Sequence, residues 1–181
     1  MRRPYRFVFL ASLAIFGMAP VAHAVECITL VSVQQSAELD TNEDEGSHIG
    51  KHVAGFGIYS DNAVDKPTMA STFFEGEDQY DAVKDIFLTN GAGSCDETTS
   101  TDNVVITLGP GDFAADMAPF AGYDCVAGGI VTTENPYATA PRTYCTQVNQ
   151  ASKFTPTNMT FVVKWNAAES KWFTLTAYPK R

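Results

Sequence analysis

Along 159–178 the chain alternates apolar and polar residues in two runs joined by a short polar stretch. In the first run Phe161, Val163 and Trp165 recur at every second position; in the second Phe173, Leu175 and Ala177 alternate with Trp172, Thr174, Thr176 and Tyr178. Side chains of a strand point alternately to its two faces, so this pattern predicts a half-buried hairpin with one packing face and one face of hydroxyls. The stretch 166–170 supplies the turn, and Pro179, which has no N–H to donate, is expected to stop the second strand. Thr176 and Tyr178 then stand side by side near the end of the chain.

Helical spacing is clearest where Tyr80, Val83, Ile86 and Phe87 recur behind the acidic residues Glu75, Glu77 and Asp78, with Asn90-Gly91 as the stop. Shorter signals predict strands at 25–33, 69–74, 104–108 and 129–133, the third ended by Gly109-Pro110-Gly111. The acidic segment 38–45 reads as a solvated loop or helix start, and 64–68, with Pro67, as a connector. Between them lies Gly46-Ser47-His48-Ile49-Gly50-Lys51-His52-Val53-Ala54. As a helix, weakened by its glycines, it would bury Ile49 and Val53 and carry His48 and His52 one turn apart on a flank. The sum is an α+β fold: helices toward the N-terminal half packed on a C-terminal antiparallel sheet. No repeat or second boundary divides 25–181, which reads as a single domain.

Composition narrows the setting. A chain of 181 residues, 45% hydrophobic and 12% aromatic, is globular rather than disordered. Arg2, Arg3 and Arg6 precede an apolar run and then Val21-Ala22-His23-Ala24, the form of a secretory signal (1–24) cleaved after Ala24. Its removal takes the formal charge from -9 to -12 through the loss of those three arginines. No cysteine stands where a lipoprotein needs one, so the mature chain is expected free of the membrane, in a periplasm or outside the cell. Cys27, Cys95, Cys125 and Cys145, an even set in an oxidising compartment, predict two disulfides that staple the fold, with three pairings open.

Several chemistries fall away. His48 and His52 at i and i+4 suit one zinc ion, but no glutamate follows His48, and His23 leaves with the signal, so the reading is of no metal site. There is no G-x-S-x-G elbow and no glycine-rich phosphate loop.

What remains is a histidine segment and a hydroxyl-bearing strand at opposite ends of one domain. Gly46-Ser47-His48-Ile49-Gly50-Lys51-His52-Val53, then Ala70-Ser71-Thr72-Phe73 before the 80–87 helix, then Thr176-Ala177-Tyr178-Pro179 follow one another in that order. Over 46–179 the chain resembles the bacterial ribonuclease A-like toxin domain, found at the ends of contact-dependent inhibition toxins and in related secreted effectors. The resemblance implies that His52, Thr176 and Tyr178 are catalytic. It also implies an arginine after that histidine; this chain has none there, and Lys66 is the nearest cation and takes the catalytic role. Lysine neutralises phosphate without the two-pronged geometry of guanidinium. The first histidine is also one residue closer to the second than in the family.

The implied chemistry is attack of an RNA 2′-hydroxyl on the adjacent phosphorus, with His52 as base, His48 and Lys51 binding substrate, and no cofactor required. Its partners would be RNA and, for a toxin-like endonuclease, a cognate inhibitor or other protein. An acidic chain attracts RNA only if its lysines, Lys51, Lys66, Lys164, Lys171 and Lys180, gather at the cleft. The alternative is a catalytically inactive secreted binding protein of the same fold.

Overall fold

The computed structural model describes residues 24–42, 47–56, 72–96, 103–113, 117, 119–125, 130–133, 142–145 and 147–181, with 130–133 and 142–145 as backbone. In chain order the elements are β1 (Val25–Glu26), α1 (Val31–Ser36), α2 (Leu39–Asn42), α3 (Glu77–Asn90), β2 (Ser94–Cys95) and β3 (Val104–Leu108). They continue with β4 (Gly122–Cys125), β5 (Ile130–Thr133), β6 (Arg142–Cys145), β7 (Val148–Phe154), β8 (Asn158–Asn166) and β9 (Lys171–Lys180). Short 3-10 turns occupy Cys27–Thr29, Ile49–His52 and Pro110–Phe113. The fold is α+β: N-terminal helices lie against an antiparallel sheet of order β3-β8-β9, and a Cys27–Cys95 disulfide ties the two ends of the helical layer. Smaller pairs β1-β2, β4-β7 and β5-β6 flank it.

The main core forms where the apolar stripe of α3 meets the inner face of β8. Phe87 stacks on Phe161 with ring centroids 4.0 Å apart and planes 3° from parallel, and Tyr80 and Val83 are fully buried beside them. Acidic Glu77 and Asp78 in the first turn of α3 complement the helix dipole. At its end Gly91 is required for space rather than for backbone freedom, because a Cβ there would sit 2.6 Å from the Phe87 carbonyl oxygen. A second, smaller core of Ala54, Phe73, Ala121, Tyr123 and Val148 joins β4 and β7 to the segment before α3.

Strand β9 lies at one margin of the sheet, where unpaired backbone groups need cover. Four other segments supply it. The Thr174 N–H donates to the Ser36 hydroxyl (2.7 Å), the Thr174 hydroxyl donates to the Val33 carbonyl (3.0 Å), and the Asn42 amide donates to the Thr174 carbonyl (2.9 Å). Asn42 also accepts the Ile49 N–H (2.9 Å), so one buried amide links α2, β9 and the start of the histidine turn. Farther along, His48 N–H donates to Leu175 C=O (2.8 Å) and the Thr72 hydroxyl donates to Pro179 C=O (2.6 Å).

These contacts correct several expectations. The stretch 25–33 is a two-residue strand, a 3-10 turn and the start of α1, because Val33 and Ala37, one helical turn apart, both bury in the core and Ser36 caps the edge of β9. Pro179 does not stop the last strand: it pairs with Met159, and its carbonyl faces Thr72, away from β8, so its missing N–H removes no ladder bond. The hydroxyl face of β9 is not solvated either. Thr174 and Thr176 are both buried, on opposite faces of the sheet: a bulge opposite Val162 and Val163 leaves Leu175 without a ladder partner, so Thr174 pairs with Val163 on the core face under α1 and Thr176 with Val162 on the other. Strands β4, β6 and β7 lie in or beside the weakly patterned middle and were not expected. The connector at 64–68 and the acidic residues Glu43, Asp44 and Glu45 fall outside the described residues.

Candidate active site on the outer edge of β9

The segment expected to be a weak helix is a single 3-10 turn, Ile49–His52. Ile49 and Val53 are fully buried, as their spacing implied, while His48, Lys51 and His52 are half-buried. Val53 bridges Phe74 in parallel, with Phe74 N–H donating to His52 C=O (2.7 Å), and Phe73 bridges Tyr123. The histidine turn is therefore held between α2, the end of β9 and the 72–74 segment.

This arrangement brings His52 and Tyr178 together. Their ring centroids lie 5.4 Å apart at 38°, with Phe73 6.3 Å from the imidazole on another side. His52 Nδ1 lies 2.9 Å from the Thr72 carbonyl oxygen. A carbonyl only accepts, so Nδ1 carries a proton; in the neutral ring the lone pair is then on Nε2, the tautomer a general base needs. Thr72 was part of a motif legible in the sequence. Its role here runs through its backbone, which side-chain chemistry does not advertise.

Thr176 follows on the same strand. It pairs with Val162 and Tyr178 pairs with Thr160, so the two hydroxyl residues share one face with Thr160 and Val162. Among the described residues the buried hydroxyls of Thr176 and of Ser47, beside His48, find no hydrogen-bond partner. An unmet buried hydroxyl costs about 1–3 kcal/mol, so such groups mark positions where stability is given up. Lys66, assigned the charge-stabilising role by the resemblance, lies outside the described residues.

Two of the described lysines act on His48. Burial, first, and then the charges of Lys51 and Lys164 hold the His48 imidazole below its ordinary 6.5. Lys164, on β8, follows Thr160 and Val162 on the face of Thr176 and Tyr178. Lys171 is paired with Glu169, and Lys180 is exposed at the last strand's end. Of the five lysines expected to gather at the cleft, Lys51 and Lys164 act on His48 and Lys66 lies outside the described residues.

The lowered affinity of His48 for protons has a consequence for stability. Below pH 6.5 the unfolded chain binds more protons at this position than the folded one, so the contribution is fully present above 6.5 and is lost as pH falls through the lower folded value. The urea midpoint of wild type, taken relative to that of His48→Gln, should be constant above about pH 7.5 and fall toward about pH 5. A difference that does not change with pH would assign the acid sensitivity to other groups.

Among the described residues no group of three or more His, Cys, Asp or Glu side chains converges, and no helix is long and apolar enough to cross a membrane. Of the cysteines, Cys27 pairs with Cys95 across a sequence separation of 68, and Cys125 is also disulfide-bonded. Cys145 lies on β6. A different recess, about 530 Å³, opens beside the first turn of α3 and is lined by Ala54, Gly55, Glu75, Gly76, Glu77, Asp78 and Gln79. Its carboxylates repel a polyanion. Compared with known proteins, the chain matches no family model, no curated protein and no solved structure.

Proposed function

We propose that the mature chain is a secreted ribonuclease that cleaves RNA through its own 2′-hydroxyl, with His52 as the general base. The single observation that supports this reading most is the pairing of His52 and Tyr178, 5.4 Å between centroids, joining residues from opposite ends of the domain. The orienting bond from Nδ1 to Thr72 supports it further, because it leaves Nε2 as the proton acceptor. In the reaction Nε2 takes the 2′-hydroxyl proton, the 2′-oxygen attacks phosphorus, the bond to the 5′-oxygen breaks, and that oxygen leaves with a proton from water. The Tyr178 hydroxyl would donate to a phosphate oxygen as charge develops there, while the Thr176 hydroxyl, on the same face, is shut off from solvent. The likeness to ribonuclease A-like toxin domains agrees with these roles; the secretory signal agrees with action outside the cytoplasm.

The second reading, a secreted non-catalytic binding protein of the same fold, draws on the acidic balance of 21 Asp and Glu against 12 Lys and Arg and on the carboxylate-lined recess. One experiment separates them. Mature protein with oxidised cysteines is incubated in chelator with a single-stranded RNA and with the same strand 2′-O-methylated. Cleavage of the first to 2′,3′-cyclic phosphate ends, with the second intact, is the expected result, since only RNA carries the nucleophile. An intact RNA strand would retire the nuclease reading in favour of binding.

A further inference from the structure

We propose that Thr72 is a positioning residue that clamps the two halves of the candidate site together, its carbonyl holding the His52 imidazole and its hydroxyl holding the strand that carries Tyr178. For its effect on cleavage the inference rests on the ribonuclease reading; the clamp itself does not.

Backbone direction explains how one residue reaches both. Phe73 exchanges its two backbone bonds with Tyr123, donating at 2.9 Å and accepting at 3.1 Å. Its neighbours along the segment therefore face the other way, toward the histidine turn. Phe74 N–H donates to His52 C=O (2.7 Å), Phe74 C=O accepts from Ala54 N–H (3.3 Å), and Thr72 C=O lies 2.9 Å from His52 Nδ1. One segment thus holds His52 at both its main chain and its ring. The Thr72 side chain projects out of that plane, and its hydroxyl donates to the carbonyl of Pro179 (2.6 Å), the residue after Tyr178.

These contacts close a ring: Thr72 to Pro179, Tyr178 to His52 with 5.4 Å between centroids, and His52 back to Thr72. The bond from His48 N–H to Leu175 C=O (2.8 Å) sets where the histidine turn begins on β9. The Thr72 bond sets how far its end stands from Tyr178. Pro179 makes a hydroxyl the fitting partner. Having no N–H, it offers the 72–74 segment a carbonyl alone, which only a donor can satisfy. The β-branch of Thr72 restricts χ1, so its half-buried hydroxyl is aimed rather than free to rotate away.

Thr72→Val keeps the branched shape and the backbone carbonyl and deletes the donor; Thr72→Ser keeps the donor. Thr157→Val is the control, because it deletes a like bond, to Arg181 C=O (3.0 Å) at the same end of β9 but outside the ring. Thr72→Ala, which puts no methyl against the Pro179 carbonyl, is read beside valine, and circular dichroism confirms that each variant folds. The first arm needs no cleavage. Nitrogen NMR of the His52 ring and the nuclear Overhauser cross-peak between the His52 and Tyr178 rings are recorded at a pH where the imidazole is neutral. Wild type, Thr72→Ser and the control should show the proton on Nδ1 and a strong cross-peak. The donor-less variants should mix the two tautomers and weaken the cross-peak, and a wild-type pattern in them overturns the clamp. In the second arm kcat on a single-stranded RNA should fall about ten- to a hundredfold in Thr72→Val with KM little changed, the scale of a misplacement of about an ångström, and return in Thr72→Ser. A loss shared by the control, unrescued by serine, or confined to KM would mark a merely structural role and overturn the proposal. If wild type cleaves nothing while the NMR changes occur, the nuclease reading fails and the clamp stands; cleavage at the wild-type rate in Thr72→Val removes the clamp and leaves the nuclease.

Discussion

His52→Ala should lower RNA cleavage by about 10²- to 10⁴-fold, the range lost when a positioned general base is removed. With His52 in the proposed role of general base, the loss should appear in kcat, because such a group moves a proton in the transition state rather than holding the bound strand. The variant gives up the bond from Nδ1 to Thr72, at a stability cost of about 1 kcal/mol, and should remain folded and measurable. Tyr178→Phe offers the complementary measurement. It keeps the ring beside His52 and deletes only the hydroxyl, so a smaller fall in kcat with an unaltered pH profile is expected. Cleavage that persists at the wild-type rate in His52→Ala would mean a contaminating nuclease or a different site.

Phe161→Ala should destabilise the fold by about 3–5 kcal/mol, among the largest costs available to one substitution. Phe161 is fully buried, stacks on Phe87 and lies 6.4 Å from the Tyr80 ring, so its removal leaves a hole where α3 meets the sheet. Urea unfolding with the disulfides intact measures the cost. Val105, next to Ile106 on β3 but 60% exposed, provides the contrast: Val105→Ala should change the midpoint little. Similar costs for the two substitutions would mean that the α3–sheet contact does not dominate stability. Since β9 hydrogen-bonds to β8 on the far side of Phe161, partial loosening of this core should also spread the His52–Tyr178 pair before global unfolding.

How much of the candidate site was legible follows from what each residue's role depends on. His52, Thr176 and Tyr178 were readable because their side-chain types and local words are distinctive, and His52 and Tyr178 do meet. Thr72 and Asn42 were not readable: one acts through a carbonyl, and the other through an amide that joins segments more than a hundred residues apart. Lys164 was one of five candidate lysines until pairing in the sheet placed it on the face of Tyr178.

The hairpin β8–β9, the helix α3 and the strand β3 were set by local periodicity, which depends only on neighbours along the chain. The α+β class followed from those elements, and the presence of a disulfide from an even cysteine count in a chain read as secreted. Tertiary structure alone decided that 31–36 would be helical, that Pro179 would remain inside a strand, and that Thr174 and Thr176 would be buried. Each of these depends on which backbone groups of β9 face away from β8 and on what arrives to bond them. A bulge of one residue reverses every assignment of face beyond it, and no count of alternating residues contains that shift.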